Sequence, residues 1–225
     1  DVVIQSIYFY DLTIIKILNI DVEFNMDKLC QDAKKIYFKD NAGGASKISE
    51  CLSMEFLNIL FGAKLIFTEC ELKYVNEMSF DVYHGPITDF SININDYIIG
   101  VSVTRAINWN DIFDRNFADK LLVKKLNGIN KSTKNCITCN FYKQILHIWT
   151  NSSICKEILL DSYYNLSDEI KSNTIVLISI CKNCDIIFNE RNPTPIKGSK
   201  RYIKGTKDIN HLKILEQSMP RSIVI

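Results

Sequence analysis

The sequence is poor in the residues that divide a chain into loosely joined parts. It holds only 4 Pro and 8 Gly among 225 residues, which argues against long flexible linkers. Its longest apolar runs, such as IVLISIC and IIKILNI, fall well short of the roughly 20 residues that a membrane-spanning helix needs. The amino end also lacks the pattern of a secretion signal. We therefore expect a cytoplasmic protein with no membrane partner.

The sequence also lacks the short motifs of the common nucleotide and hydrolase enzymes. Gly43 and Gly44 are not followed by the glycines that a phosphate loop or a dinucleotide fingerprint requires, and no nucleophile elbow is present. His147 stands among apolar residues in QILHIW, a setting more typical of a core histidine than of a catalyst. We expect no small-molecule substrate.

The residues that are present indicate a globular α/β fold. Hydrophobic residues make up 47% and charged residues 24% of the chain, as in ordinary globular domains. Ser46 and Gly62 frame a helix over 47–61, three strands follow, and a second helix is predicted over 111–126. The sequence thus predicts a mixed central sheet flanked by helices within residues 1–192, followed by a basic C-terminal extension, residues 193–225.

Charge is distributed unevenly along the chain. The first hundred residues carry 8 Lys and no Arg against 15 acids, a net charge of −7, whereas the rest carry 19 basic residues against 11 acids, a net of +8. This asymmetry favours either a face that meets a polyanion or merely an uneven solvated surface. The basic segment IKGSKRYIKGTK is typical of a flexible chain that contacts a phosphate backbone, with one aromatic ring that could stack on a base. The alternative is a solvated loop. The candidate RNA-binding residues are Lys197, Lys200, Arg201, Tyr202, Lys204 and Lys207.

Two pairs of the 8 cysteines have the spacing of zinc knuckles. They are Cys136-Ile-Thr-Cys139 and Cys181-Lys-Asn-Cys184, and each could place two thiolates on one tetrahedral zinc ion. We interpret KQILHIW as part of a helix that leads away from the first knuckle, and NTIVLISIC as a strand that returns to end at the second. On that topology the knuckles meet in a closed, structural four-cysteine zinc site. The alternative is reduced thiols without a metal.

The order of elements around Asp89 resembles the core of restriction-endonuclease-like nucleases. The order is a helix with Glu50 and Glu55, a strand with Glu69 and Glu71, a strand with Asp89, and a strand that ends in Ser102-Val103-Thr104-Arg105. Such nucleases hold Mg²⁺ with an Asp on one strand and an acid two residues before a Lys on the next, and this Lys positions the attacking water.

The second half of that metal motif is missing. Val101-Ser102-Val103-Thr104 stands where the acid and the lysine would be, and Arg105 is no substitute base because it stays protonated. This departure favours a catalytically inactive relative of the fold. Two alternatives stay open: an active metal-dependent nuclease that uses Asp89 with Glu69 or Glu71, and acids that are only surface groups of a sheet.

Several segments resemble a eukaryote-wide family of small cytoplasmic proteins. They include GGASKISECLSMEFL, IIGVSVTRA, KQILHIW and NTIVLISICKN, and the resemblance covers about residues 40–190. The family has a microsporidian member that is a ribosome-bound dormancy factor. The resemblance implies a non-enzymatic protein that docks on the small ribosomal subunit near the tRNA exit site, contacts its proteins and rRNA, and keeps the ribosome inactive. It implies no catalytic residue, and the cysteine knuckles are not part of it.

Overall fold

The computed structural model describes residues 15–20, 24–40, 46–76, 83–107, 112–181 and 184–188. Within these ranges six strands form one sheet, and helices lie on both of its faces. The strands are β1 (Ile15–Ile20), β2 (Lys64–Thr68), β3 (Phe90–Ile94), β4 (Tyr97–Arg105), β5 (Lys143–Thr150) and β6 (Thr174–Cys181). The helices are α1 (Gln31–Phe38), α2 (Lys47–Phe61), α3 (Arg115–Asn135), α4 (Ser153–Tyr164), α5 (Asp168–Lys171) and α6 (Asp185–Phe188), with 3-10 turns at Met26–Lys28 and Glu69–Glu71.

The sheet is mixed, and its strand order is β1-β6-β5-β4-β3-β2. Strands β4, β5, β6 and β1 run parallel, whereas β2 and β3 are antiparallel to their neighbours. The β3–β4 turn uses Asn95 and Asp96 at φ values of 49° and 68°, a backbone region that these two residue types tolerate better than most. The predicted fold class, a mixed central sheet flanked by helices, is confirmed.

Each face of the sheet has its own hydrophobic core, because the central strands are buried on both sides. On the face covered by α1 and α2, Phe56 packs with Ile145 and Trp149. On the face covered by α3 and α4, Leu122 packs with Leu146 and its neighbours. Successive residues of β5 therefore point into opposite cores, as the two-residue period of a strand requires.

Local sequence signals predict the bounds of α2 correctly but place the end of α3 too early. Helix α2 spans the predicted residues and ends at Gly62, whose φ of 64° is the left-handed conformation of a helix C-cap. The N-terminus of α3 is capped by Asp114, whose Oδ1 accepts a 2.7 Å hydrogen bond from Phe117 N. That helix continues nine residues past its predicted end at Leu126, because Ile129 and Ser132 extend its buried stripe.

The interpretation of KQILHIW as part of a helix was wrong, since this segment lies in strand β5, whose eight residues are all buried. A short, wholly apolar run has no periodicity that separates a buried strand from a buried helix. The prediction of a strand at NTIVLISIC is confirmed, because it forms β6, which is also buried along its whole length. Among the helices described, none has the length and apolar character needed to cross a bilayer.

Candidate functional site

The candidate site is centred on Asp89, the residue that precedes β3. Its backbone N donates to Val101 O at 3.1 Å, and its side-chain Oδ2 accepts a 2.6 Å hydrogen bond from Val103 N. Both contacts are to β4, so the carboxyl group is held against the neighbouring strand at the point where β3 begins. By accessible surface, Asp89 falls between the buried and the exposed residues, but the protein atoms around its carboxyl group are dense enough to destabilise the charged form.

A lysine of helix α3 lies close enough to this carboxyl group to act on it electrostatically. Helix α3 places Lys125 so that its Nζ donates to Val103 O at 3.4 Å, and Val103 is the same residue whose N donates to Asp89. Burial raises the pKa of Asp89 to about 6, although the charge of Lys125 and the Val103 hydrogen bond pull it down and the nearby charge of Glu69 adds to the rise. The ionised form of Asp89 is therefore destabilised in this position.

Strand β4 supplies no acid–lysine pair beside Asp89. Val101 and Val103 belong to the core under α2, and the alternate residues of the strand, Ser102 and Thr104, point to the other face. The guanidinium of Arg105 donates to Ile187 O at 3.1 Å, so it ties β4 to α6.

The two glutamates considered as partners of Asp89 lie in the 3-10 turn that follows β2, not in the strand itself. Glu71 is engaged elsewhere: its carboxylate accepts from Thr68 N at 2.9 Å and pairs with Lys35 at 3.2 Å. These hydrogen bonds lower its pKa to about 2. Glu69 is close enough to influence Asp89 electrostatically. Within the described part of the chain no three His, Cys, Asp or Glu side chains converge as metal ligands.

The four cysteines of the expected zinc site do not come together. Cys136 and Cys139 precede β5, and Cys136 packs with Leu72 and Phe141 near the start of that strand. Cys181 ends β6, which runs parallel to β5 with Gln144 opposite Thr174. The start of one parallel strand and the end of its neighbour are separated by a strand length, about 25 Å for eight residues. The expected meeting of the knuckles is therefore corrected: it required a helix where the chain forms β5.

Within each pair, however, the two cysteine side chains interact with each other. The Cys139 thiol interacts with that of Cys136, and burial together with this neighbour raises the pKa of Cys139 to about 12. The pKa of Cys184 is also raised, first by its hydrogen bond with Cys181 and then by burial. All four side chains carry free thiols. The raised pKa values keep the thiols of Cys139 and Cys184 protonated at neutral pH, and each pair offers at most half of a tetrahedral zinc site.

His147 is in the core, as its apolar sequence context predicted. It is fully buried between Phe56 and Trp149, and its Nε2 lies 2.8 Å from Ser179 Oγ. Burial lowers its pKa to about 3, so the ring is neutral.

The predicted RNA-binding residues, Lys197, Lys200, Arg201, Tyr202, Lys204 and Lys207, lie outside the described residues. The sequence interpretation also passed over Lys125, which has no motif of its own and comes to Asp89 only through the packing of α3 on the sheet.

Comparison with known proteins adds one relative. No family model matches the chain, and no solved structure matches it. The chain is 38% identical over 168 residues, 71% of its length, to the "AAC-rich mRNA clone AAC4 protein" of Dictyostelium discoideum. It spans about a quarter of that relative, because the match covers 24% of it. The relative's name describes a messenger RNA and specifies no activity.

Proposed function

We propose that this chain acts by binding the small ribosomal subunit, keeping the ribosome inactive in resting cells, rather than by cleaving a substrate. The observation that carries the non-enzymatic part is the state of Asp89. Its carboxyl group accepts a hydrogen bond from Val103 N and lies near Lys125, while β4 offers Ser102 and Thr104 where a metal-dependent nuclease needs an acid and a lysine. The ribosomal partner follows from the resemblance to the dormancy factors.

Co-sedimentation of the full chain with purified 40S particles tests this proposal. We expect binding that weakens as salt rises, because contacts to rRNA phosphates release counterions. A variant with Lys197, Lys200, Arg201, Lys204 and Lys207 changed to Gln should sediment less with the particle if the basic extension contributes. A wild-type chain that stays in the supernatant at low salt would contradict the proposal.

A metal-dependent nuclease is the second candidate, and the position of Lys125 is what favours it. This lysine approaches Asp89 from α3, so it could act in place of the lysine that β4 lacks, with Glu69 as a further acid nearby. Incubation of RNA and DNA with the chain in Mg²⁺ or Mn²⁺ tests this role. Cleavage that is lost in both Asp89→Ala and Lys125→Ala would replace the first proposal with this one.

A further inference from the structure

The solvent-facing side of α3 carries a stripe of positive charge. Its exposed residues follow one another at intervals of three and four, which places all of them within about 80° of one another around the helix axis. None of them is acidic, and the four lysines extend over about 21 Å of helix at 1.5 Å per residue. We call this set the α3 stripe: Asn116, Lys120, Lys124, Asn127, Lys131 and Lys134.

The lysines of the α3 stripe are not neutralised by the described part of the chain. The acid on the same helix, Asp119, is bound to Arg115 at 2.8 Å and accepts from Ser162. On the neighbouring helices, Asp161 pairs with Arg115 and Asp168 pairs with Lys171. No described carboxylate forms a salt bridge with a lysine of the stripe, so these charges are available to an external partner.

The composition of the stripe favours a polynucleotide over a membrane. A helix that lies on a bilayer inserts an apolar face beside its basic one, but the apolar face of α3 is already buried against the sheet through Leu122, Leu126 and Ile129. Between the lysines the stripe presents Asn116 and Asn127, whose amides can hydrogen-bond to phosphate and sugar oxygens. A narrow, straight row of cations also suits a linear polyanion.

We propose that the α3 stripe is an RNA-binding surface that contacts the phosphate backbone. This inference rests on the proposed function for its cellular partner, the rRNA of the small subunit, and it assigns the contact to α3 in addition to the basic extension. Contacts of this kind carry no sequence information by themselves, so the stripe sets affinity and orientation on the RNA rather than sequence choice.

The salt dependence of binding measures how many of these lysines touch phosphate. Each phosphate contact contributes about 0.7 to 0.9 to the slope of log affinity against log salt concentration. If all four lysines make such contacts, their removal should lower the magnitude of that slope by about 3. At about 0.1 M salt, the loss of four phosphate contacts should weaken binding at least tenfold.

The test compares two variants that remove the same charge from the full chain. The first changes Lys120, Lys124, Lys131 and Lys134 to Gln, which keeps good helix formers at exposed positions. The control changes four lysines on or near α1 and at the start of β2: Lys28, Lys34, Lys39 and Lys64. The probes are a 20-nucleotide RNA strand, a 20-base-pair RNA duplex and anionic phospholipid vesicles, and circular dichroism checks that both variants fold.

The inference predicts that only the first variant loses affinity and slope on at least one RNA probe. Equal slopes for the wild type and the first variant would overturn it. So would an equal loss in both variants, which would indicate net charge alone, or binding to vesicles without binding to RNA.

Co-sedimentation of the same variants with 40S particles separates the two proposals. If the wild type binds RNA through the stripe but does not sediment with 40S particles, the ribosomal function fails and the stripe stands. If the wild type sediments and the first variant sediments equally well with an unchanged salt dependence, the function stands and the stripe fails.

Discussion

Replacement of Asp89 by Asn should change the pH dependence of stability in a way that only a destabilised carboxylate can produce. The folded chain raises the pKa of this acid from 3.8 to about 6. Below about pH 3 the group is protonated in both the folded and the unfolded chain, so it contributes no charge penalty. Above about pH 6 it is ionised in both, and the folded state bears the full cost of the buried charge.

The magnitude follows from the size of the pKa rise. Since one pKa unit corresponds to 1.36 kcal/mol, a rise of about two units costs about 3 kcal/mol of folding free energy above pH 6. The Asn side chain keeps an oxygen that can accept from Val103 N and removes the titration. The stability of Asp89→Asn relative to the wild type should therefore increase by about 3 kcal/mol between pH 3 and pH 8, on top of any offset that is constant with pH.

Urea unfolding followed by tryptophan fluorescence at several pH values measures this difference. The matched control is Asp96→Asn, which changes an exposed acid in the β3–β4 turn, where Asn also tolerates the positive φ. The rise in relative stability with pH should be larger for Asp89→Asn than for this control. A difference between Asp89→Asn and the wild type that stays constant with pH, or that falls as pH rises, would show that the Asp89 carboxylate is not destabilised by folding.

Three further changes test the packing around the sheet. Gly100→Ala should cost about 1–3 kcal/mol, because the new Cβ collides with the buried carboxamide of Gln144, and a double-mutant cycle by urea unfolding should show that this cost disappears in a Gln144→Ala background. Asp114→Ala removes the N-cap of α3 and should lower the free energy of unfolding by about 1 kcal/mol in a urea titration. Trp149→Phe loses the 2.9 Å bond from Nε1 to Ser53 Oγ and should cost about 1–3 kcal/mol by the same measurement.

The elements that sequence predicted well are those with signals at their own ends. Helix α2 has a run of apolar residues at helical spacing and a glycine at its C-cap, and strand β4 has strong β-branched character and a turn before it. These signals act through local backbone preferences, so they can be recognised in the sequence without knowing which elements pack against them. The mixed α/β class followed from the alternation of such elements.

The prediction for strand β5 was wrong because this segment has no such local signal. Its side chains alternate between two cores, so both faces of the strand are apolar and the two-residue period disappears from the sequence. The error spread to the zinc prediction, because a helix in that position would have let the chain return antiparallel. A parallel pair of strands keeps the end of β6 away from the start of β5, whatever the spacing of the cysteines.

The α3 stripe could have been predicted from the sequence, but the predicted helix ended too early to include all of its lysines. A helix that ends at Leu126 contains only Lys120 and Lys124 of the four lysines. The continuation to Asn135 is stabilised by burial of Ile129 and Ser132, which depends on the sheet beneath. Once the helix is long enough, the three- and four-residue intervals of its lysines indicate one exposed face.

Different sides of helix α3 carry the residues for the two proposed functions, RNA binding and cleavage. Lys124 is on its exposed stripe, whereas Lys125 is turned about 100° away toward Asp89. An RNA strand bound along the stripe therefore lies beside the Asp89 site without having to enter it. A binding protein should tolerate Asp89→Asn and Lys125→Gln with its RNA affinity nearly intact, since neither residue is part of the stripe. A nuclease should also retain binding in these two variants, but it should lose a cleavage that the wild type performs. Cleavage by the wild type and its loss in this pair of variants therefore decide between the two functions.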